Sequence, residues 1–381
     1  MTKLRVLIFF LTILVVGSVG FAAILYARGY RLNPTNNKLT ATGLLVANSD
    51  PNGAQILIDG KLNSATNSTI TLPPGSYDVS LKKEGYVGWD KKIVVSDGIV
   101  SEIDASLFPQ AASLNPLTFA GAIGPDVSPD YTKIVYGATD GIWVIETINL
   151  PLGFNSQPTK ITDLVPDANT SWQWSPDSRQ VLVTTKTSNY LLNISSTTLI
   201  PQLTDITATL SKTKSDWQTL QTKQLDSLLS KLPTDLQNIF QQKTTNIVFS
   251  PDQTKILYTA TTSATIPTGL VPPLPGSSTQ KETRDIVKAG TYVFDLKEDR
   301  NFQITDVAGP IYWFASSRNL VIPEKDRVVI CDYDNTNKET IYGGSYVYPD
   351  AFPTPNTSRI FILTNLGAIK ATPNLYSLNL R

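Results

Sequence analysis

Four runs of turn residues, set between short apolar runs, read Ser49-Asp50-Pro51-Asn52-Gly53-Ala54, Asp59-Gly60-Lys61, Leu72-Pro73-Pro74-Gly75-Ser76-Tyr77 and Lys82-Lys83-Glu84-Gly85-Tyr86. Proline presets φ at the first position of a turn, and asparagine or glycine tolerates the positive φ that follows. Between these turns, residues 55–58 and 77–81 have the composition and alternation of short strands. About half a dozen such strands predict a small antiparallel β-sandwich over residues 43–108.

In order and spacing these runs resemble the PEGA domain, a small β-sandwich of prokaryotic envelope proteins. Asn52 stands where the family name has glutamate, and it keeps the turn chemistry. The resemblance implies a fold and an envelope setting, but no shared chemistry. Tyr77, Tyr86 and Trp89 either anchor the small core or form a stacking platform for a sugar. The core role is favoured because Tyr and Trp usually pack one face and bond at the rim.

The amino-terminal segment is apolar from Val6 to Ala27, with few interruptions. About 20 helical residues at about 1.5 Å each cross a bilayer core of about 30 Å. We therefore predict a transmembrane anchor over residues 1–27, with membrane contact through residues 6–27. A cleaved signal peptide is the alternative, but its apolar region usually has only about 7–15 residues. Residues 28–42 predict a polar stalk that reaches at most about 50 Å when extended.

The orientation of the anchor is nearly balanced by charge. Lys3 and Arg5 precede the span, and Arg28 and Arg31 follow it. The short tail before the span makes a cytoplasmic amino terminus the simplest topology. The predicted location is thus the cytoplasmic membrane, crossed once, with the bulk of the chain extracytoplasmic.

Residues 110–381 contain internal repeats. Three copies pair a Ser-Pro-Asp turn with an apolar strand: 127–130 with 134–136, 174–177 with 181–183, and 249–252 with 256–258. Two eroded copies are 313–316 with 320–322, and 352–356 with 360–363. Each copy is followed by another strand. This order resembles the blade repeat of TolB-like and related WD-type β-propellers, in which proline starts the turn and the aspartate side chain caps backbone N–H groups.

The repeats predict a β-propeller of five or six blades, mainly β in class, over residues 110–381. Residues 110–126 supply either a strand that closes the ring or a degenerate sixth blade. Two insertions lengthen the repeats, a helical one at 207–245 and a Pro-rich loop at 263–280. The loop composition predicts an extended surface segment, with a recognition segment as the alternative.

The helical insertion has apolar residues near helical spacing, at Trp217, Leu220, Leu225, Leu228, Leu229 and Leu232. Ser215 with Gln218 predicts a capping box, and Pro233 ends the helix before a second one that begins near Thr234. The apolar stripe either packs on the propeller or docks a partner, and packing is favoured.

Composition excludes several functions. The chain has 32 basic and 32 acidic residues, so a basic face for nucleic acid is not expected. With no histidine, the Ser-His-Asp and Cys-His catalytic arrangements and His-ligated zinc are excluded. Cys331, the single cysteine, lies in an apolar run and is predicted to be a buried hydrophobe.

No catalytic, cofactor-binding or metal-binding residue is predicted. Asp332, Asp334, Thr336 and Glu339 resemble a calcium loop, but Asn337 occupies the position of its glycine and the spacing is wrong, so a polar hairpin turn is favoured. Paired carboxylates cannot be judged from the sequence of a propeller, since distant blades converge.

We predict a noncatalytic scaffold or binding protein of the cell envelope. Its partner would be an envelope protein or a cell-wall glycan, with no cofactor. One alternative is a glycan-processing enzyme that uses Asp or Glu pairs in the propeller channel, about 5–10 Å apart. Another is a sensory ectodomain that acts through a membrane partner.

Overall fold

A computed structural model describes residues 2–27, 29–32, 39–148, 157–272, 279–306, 309–368 and 370–381. The described residues form two compact units. One contains residues up to 107 together with 279–280, and the other contains 108–272 and 281–381. The predicted class is confirmed: an apolar helix and a small sandwich lie in the first unit, and a propeller with a helical insertion forms the second.

Helix α1 spans Thr2–Ala27 and is followed by a short strand pair, β1 (Arg31–Leu32) with β2 (Leu39–Thr40). Residues 33–38 of the predicted stalk lie outside the described residues. Its two ends meet, because the amide and hydroxyl of Thr42 both donate to the carbonyl oxygen of Gly29, at 3.1 and 2.6 Å. The stalk therefore adds little to the distance between α1 and the strands that follow.

The sandwich contains two sheets built from seven strands: β3 (Gly43–Asp50), β4 (Gln55–Ile58), β5 (Lys61–Ala65), β6 (Ser68–Leu72), β7 (Gly75–Lys82), β8 (Trp89–Val95) and β9 (Val100–Ser106). One sheet has the order β6-β3-β9 and the other β5-β4-β7-β8. All neighbours are antiparallel except β3 and β9, which run parallel with Leu44 opposite Val100. The turn at Asp59-Gly60 has positive φ at both residues, as its sequence predicts.

The propeller has five blades among the described residues. The strands of blade 1 are β11 (Ile123–Val127), β12 (Lys133–Ala138), β13 (Gly141–Glu146) and β14 (Thr159–Thr162). Those of blade 2 are β15 (Ser171–Trp174), β16 (Gln180–Thr184) and β17 (Asn189–Asn193), with Asp205 bridged to Tyr190 at the edge. Those of blade 3 are β18 (Thr244–Phe249), β19 (Lys255–Ala260), β22 (Thr291–Asp295) and β23 (Arg300–Thr305).

Blade 4 contains β24 (Tyr312–Trp313), β25 (Asn319–Pro323), β26 (Arg327–Asp332) and β27 (Glu339–Gly343). Blade 5 contains β28 (Ala351–Pro353), β29 (Arg359–Thr364) and β30 (Asn374–Asn379), and its outer strand is β10 (Ser113–Pro116). The strand from the start of the repeats thus completes the last blade. Of the two interpretations of residues 110–126, ring closure is confirmed.

The Ser-Pro-Asp turns share one hydrogen-bond pattern. In blade 3, Ser250 Oγ donates to Asp252 Oδ1 at 2.6 Å and accepts from the amide of Lys255 at 3.0 Å. Asp252 Oδ1 also accepts from the amide of Thr254. Blades 1 and 2 repeat the first two bonds. The aspartate therefore caps the turn as predicted, and the serine hydroxyl joins the turn to the next strand.

The helical insertion forms a hairpin of α2 (Leu210–Leu229) and α3 (Thr234–Lys243), after 3-10 turns at Ile200–Gln202 and Thr207–Thr209. The capping-box prediction is wrong. Helix α2 begins at Leu210, so Ser215 and Gln218 lie inside it, and the Ser215 carbonyl accepts from the Thr219 hydroxyl. The helix continues upstream of the apolar residues because no proline or glycine stops it there.

The hairpin packs on blade 3. Ile134, Leu320 and Ile360 occupy matching places after the turns of blades 1, 4 and 5, and each joins a core shared with the preceding blade. Ile256 has that place in blade 3, but its core is shared with Phe240 of α3 and other hairpin residues. In the other blades this face packs against the preceding blade. In blade 3 the hairpin packs against it instead.

The Pro-rich loop between β19 and β22 has an ordered base. Strands β20 (Ala264–Thr265) and β21 (Asp285–Ile286) pair there. Arg284 Nη1 donates to the carbonyl oxygen of Pro267 at 2.6 Å, and Arg284 Nη2 lies 3.3 Å from Asp299 Oδ2. Residues 273–278 of this predicted loop lie outside the described residues.

Candidate functional site

The turn ends of the first strands hold neighbouring blades together. Trp174 of blade 2 donates its indole N–H to the carbonyl of Asp126 in blade 1 at 3.1 Å. Trp313 of blade 4 makes the same bond to Val248 of blade 3 at 3.0 Å. The first strands are therefore fixed relative to one another at these junctions.

An aromatic group lies near the propeller axis. The ring of Tyr131, in the turn of blade 1, meets the ring of Tyr312, on β24 of blade 4, edge to face at 6.4 Å between centroids. Tyr312 also meets Phe352 on β28 of blade 5, at 6.5 Å. Blades 1 and 4 are not neighbours in the ring, since blade 5 lies between them. Their contact therefore lies in the central region.

Two carboxyl groups from different blades belong to the same region. Burial raises the pKa of Asp126, on β11 of blade 1, to about 6. Burial and then the charge of Asp126 raise the pKa of Asp350, which precedes β28 of blade 5, to about 7. We call Asp126, Tyr131, Tyr312 and Asp350 the axial cluster. Near neutral pH its two carboxyl groups resist simultaneous ionisation.

Tyr312 connects the members of the cluster. Burial, followed by the nearby Tyr131, Asp126 and Asp350, raises the pKa of Tyr312 to about 12. Burial also raises the pKa of Tyr131. Both phenols therefore remain protonated at neutral pH and can donate hydrogen bonds.

A cavity of about 250 Å³ opens beside the cluster and is called the axial cavity. Its walls include Asp130 and Tyr131 of blade 1, Phe249 and Pro251 of blade 3, Trp313 of blade 4 and Pro355 of blade 5. Tyr131 belongs to both the cavity wall and the cluster. The volume is below the usual range of about 300–1,000 Å³ for a small-molecule site, so it suits a single side chain or a similar group.

The acidic groups of the axial region make no ion pair within the described part of the chain. Among the described residues, no lysine or arginine lines the cavity. Among the described ion pairs, none involves Asp126, Asp130 or Asp350. The site can therefore accept hydrogen bonds or a positive charge, and the two phenols can donate.

The free-energy cost of ionising Asp350, which comes from its burial and from the charge of Asp126, can be tested by mutation. Asp350→Asn is expected to raise the free energy of unfolding at pH 8 by about 1–3 kcal/mol, because an amide needs no ionisation. The folded pKa of Asp350, about 7, exceeds the ordinary 3.8. The wild-type penalty is therefore complete above pH 7 and fades as the pH falls toward 3.8. Urea denaturation between pH 4 and 8 measures the difference.

Asp226→Asn, which removes an exposed carboxyl from α2, is the matched control and is expected to change the stability little. If the Asp350→Asn variant were less stable than the wild type at pH 8, the ionised Asp350 would not be destabilising, contrary to this prediction.

The aromatic residues of the sandwich are structural, as favoured. Trp89 is buried in the sandwich core, and Tyr77 and Tyr86 pack against that core. The Tyr77 hydroxyl donates to the carbonyl oxygen of Pro73 at 2.8 Å. All three rings therefore pack in or against the sandwich core, which is the structural role.

The rejected calcium loop is a polar turn between β26 and β27. Asp332 accepts bonds from Asn319 and Asn337, both at 3.0 Å. Asp334 accepts from the Thr336 hydroxyl at 2.6 Å. Cys331, at the end of β26, is fully buried, and burial raises the pKa of its thiol to about 12, as suits a buried hydrophobe.

Most of the apolar stripe of the hairpin is buried against the rest of the protein. Trp217, Leu229, Leu232, Leu236 and Phe240 are buried, whereas Leu220 is 49% exposed. This supports the packing interpretation of the insertion over the docking arm.

Asp126 and Asp350 were not predictable as site residues. Each belongs to a short segment with no chemical motif, in the first and last blades of the repeat. Only their separate positions beside the repeat turns are visible in the sequence. Ring closure brings them together.

Residues 42–110 match the family model described as the PEGA domain, which confirms the predicted resemblance for that part of the chain. The chain therefore combines an apolar amino-terminal helix, a PEGA domain and a five-bladed β-propeller. No curated protein matches the sequence.

Similar solved structures include TolB proteins. A putative TolB from Agrobacterium tumefaciens is 12% identical, with 68% of this chain and 78% of that chain covered and a TM-score of 0.24. TolB from Acinetobacter baumannii is also 12% identical, with 79% and 59% covered and a TM-score of 0.24. An oligogalacturonate lyase in complex with manganese is 10% identical, with 90% and 98% covered and a TM-score of 0.26. These low similarities carry no inference about function.

Proposed function

We propose that this chain is a membrane-anchored binding protein of the cell envelope that holds a protein or cell-wall ligand close to the membrane, without catalysis. Helix α1 is the observation that carries the proposal. Its segment Arg5–Tyr26 is 22 residues long and apolar, with none of it buried by the rest of the described protein. Exposure of so much apolar surface to water is unfavourable, whereas a bilayer solvates it.

The PEGA match supports an envelope setting, and the propeller provides a rigid frame for a binding site. In the proposed topology the amino terminus is cytoplasmic, α1 crosses the membrane, and the sandwich and the propeller are extracytoplasmic. The axial cavity is the proposed binding site, because it gathers residues from four blades.

The experiment is cosedimentation of the full chain, reconstituted in phospholipid vesicles, with cell-wall polymer from its own host. Saturable pelleting of the vesicles is expected. Tyr131→Ala should abolish the binding, whereas Leu220→Ala should leave it unchanged. Empty vesicles provide the background. Absence of binding both to the polymer and to crosslinked envelope proteins of the host would overturn the proposal.

A second candidate is a glycan-processing enzyme, and the axial cluster favours it. Its carboxyl groups come from two blades, and one can keep a proton near neutral pH while the other is ionised, as acid–base catalysis requires. The test is to incubate the wall polymer with the protein and to assay for new reducing ends or unsaturated sugars. Turnover that both Asp126→Asn and Asp350→Asn abolish would establish this function in place of the first.

A further inference from the structure

The walls of the axial cavity combine apolar surface with acidic charge. Phe249, Pro251, Trp313 and Pro355 provide the apolar part, from three blades. Such walls can cover a short alkyl chain, and the aromatic faces attract a cation. The wall residues that the structure describes include no basic group that would bind an anion.

The acidic part of the region makes no ion pair in the described part of the chain, although Lys133 Nζ donates to Thr132 Oγ1, which in turn donates to Asp130. Asp130 lies in the wall, and its Oδ1 accepts bonds from Ser128 and Thr132 within the turn. Tyr131 contacts Tyr312 behind the wall, and after burial the charges of Asp126 and Asp350 raise the pKa of Tyr312, while Asp126 also repels the charge of Asp350. A neutral sugar would leave this repulsion in place, whereas a positive charge would relieve it.

We propose that the axial cavity binds an alkylammonium group, the chemistry of a lysine side chain. The alkyl stem lies against Trp313 and the proline rings, and the ammonium faces the acidic residues around Tyr131. This inference rests on the proposed binding function and names the chemistry of its ligand. A lysine of a partner protein and a free amine of the cell wall are the two sources of that group.

The probe is Nα-acetyl-lysine methylamide, titrated into the full chain in detergent micelles and followed by calorimetry. The norleucine analogue has the same four-carbon stem without the ammonium and is the matched ligand. The lysine compound is expected to bind at least about tenfold more tightly, as one charge–carboxylate contact or cation–π contact allows. Equal binding of the two compounds would overturn the inference, as would tighter binding of N-acetylglucosamine.

Asp350→Asn is expected to weaken binding of the lysine compound by about tenfold while binding of norleucine stays unchanged. This variant keeps the shape of the site and is expected to be folded. Asp226→Asn, on α2, is the charge-matched control and should bind like the wild type. Equal loss for both ligands in Asp350→Asn would indicate a damaged cavity and would count against the inference.

The binding of the ammonium is also expected to strengthen between pH 5 and 8, as the carboxyl groups ionise. The described titratable groups in this region include Asp126, Asp130, Tyr131 and Lys133 of blade 1, Tyr312 of blade 4, and Tyr348 and Asp350 beside blade 5. Binding that weakens over this interval would contradict the proposed charge complementarity.

Acetylation of the wall polymer distinguishes the two possible sources of the amine. If acetylation of the free amines of the wall polymer abolishes vesicle pelleting, the wall supplies the ligand. If pelleting is absent and a lysine-containing envelope peptide binds, a protein supplies it. Pelleting that persists after acetylation, with no lysine preference in calorimetry, would overturn the ammonium inference and leave the binding function standing.

Discussion

Phe240→Ala is expected to lower the free energy of unfolding by about 3–5 kcal/mol, the range for a large aromatic residue removed from a core. Phe240 is fully buried on α3, and its ring meets Tyr258 edge to face at 5.0 Å and Phe294 at 6.4 Å. Truncation leaves a cavity between the hairpin and blade 3. Urea denaturation followed by tryptophan fluorescence measures the change.

Leu220→Ala is the matched control on the same hairpin. Its side chain is 49% exposed, so a change within about 0.5 kcal/mol is expected. If Phe240→Ala were as mild as this control, the hairpin would not be an integral part of the propeller, and the docking-arm interpretation would regain support. A large loss would mean that the insertion substitutes for a blade as the packing partner of blade 3.

Removal of residues 2–27 is expected to move the protein from the membrane fraction to the soluble fraction after a carbonate wash. About 20 apolar residues provide far more bilayer affinity than a surface contact could. A variant in which the apolar residues 6–27 are shuffled keeps composition and length, so it should stay in the membrane. Immunoblots of the two fractions measure the distribution.

The same experiment separates an anchor from a signal peptide. Mass spectrometry of the mature wild-type protein is expected to recover peptides from α1. A mature protein that begins after Ala27 and washes off the membrane would contradict the anchor. Protease treatment of spheroplasts should degrade the propeller, since it is proposed to lie outside.

Several elements were predictable because local chemistry specifies them. The strands at 134–136, 181–183 and 256–258 all lie in the predicted blades. The Asp59-Gly60 hairpin and the β26–β27 turn also follow from turn residues. These signals act over a few residues, so the rest of the chain has little influence on them.

The start of α2 and the pairing of β3 with β9 depend on residues outside the local sequence pattern. The capping box at Ser215 has the right residues, but helical neighbours extend α2 upstream of it. The pairing of β3 with β9 is parallel, which the turns between the strands do not specify. In both cases a longer-range preference overrides the local one.

Neighbouring residues determine turns, alternating strands and an unbroken apolar helix. The sequence alone therefore specifies a membrane-length helix, a small sandwich and a repeated blade. The axial site is different. Asp126 and Asp350 belong to opposite ends of the repeat, and the charge of Asp126 acts on Asp350 only after β10 closes the ring on β30. Their shared strain, the cavity beside Tyr131 and the covering of blade 3 by the hairpin all arise from packing between distant segments, which no local pattern encodes.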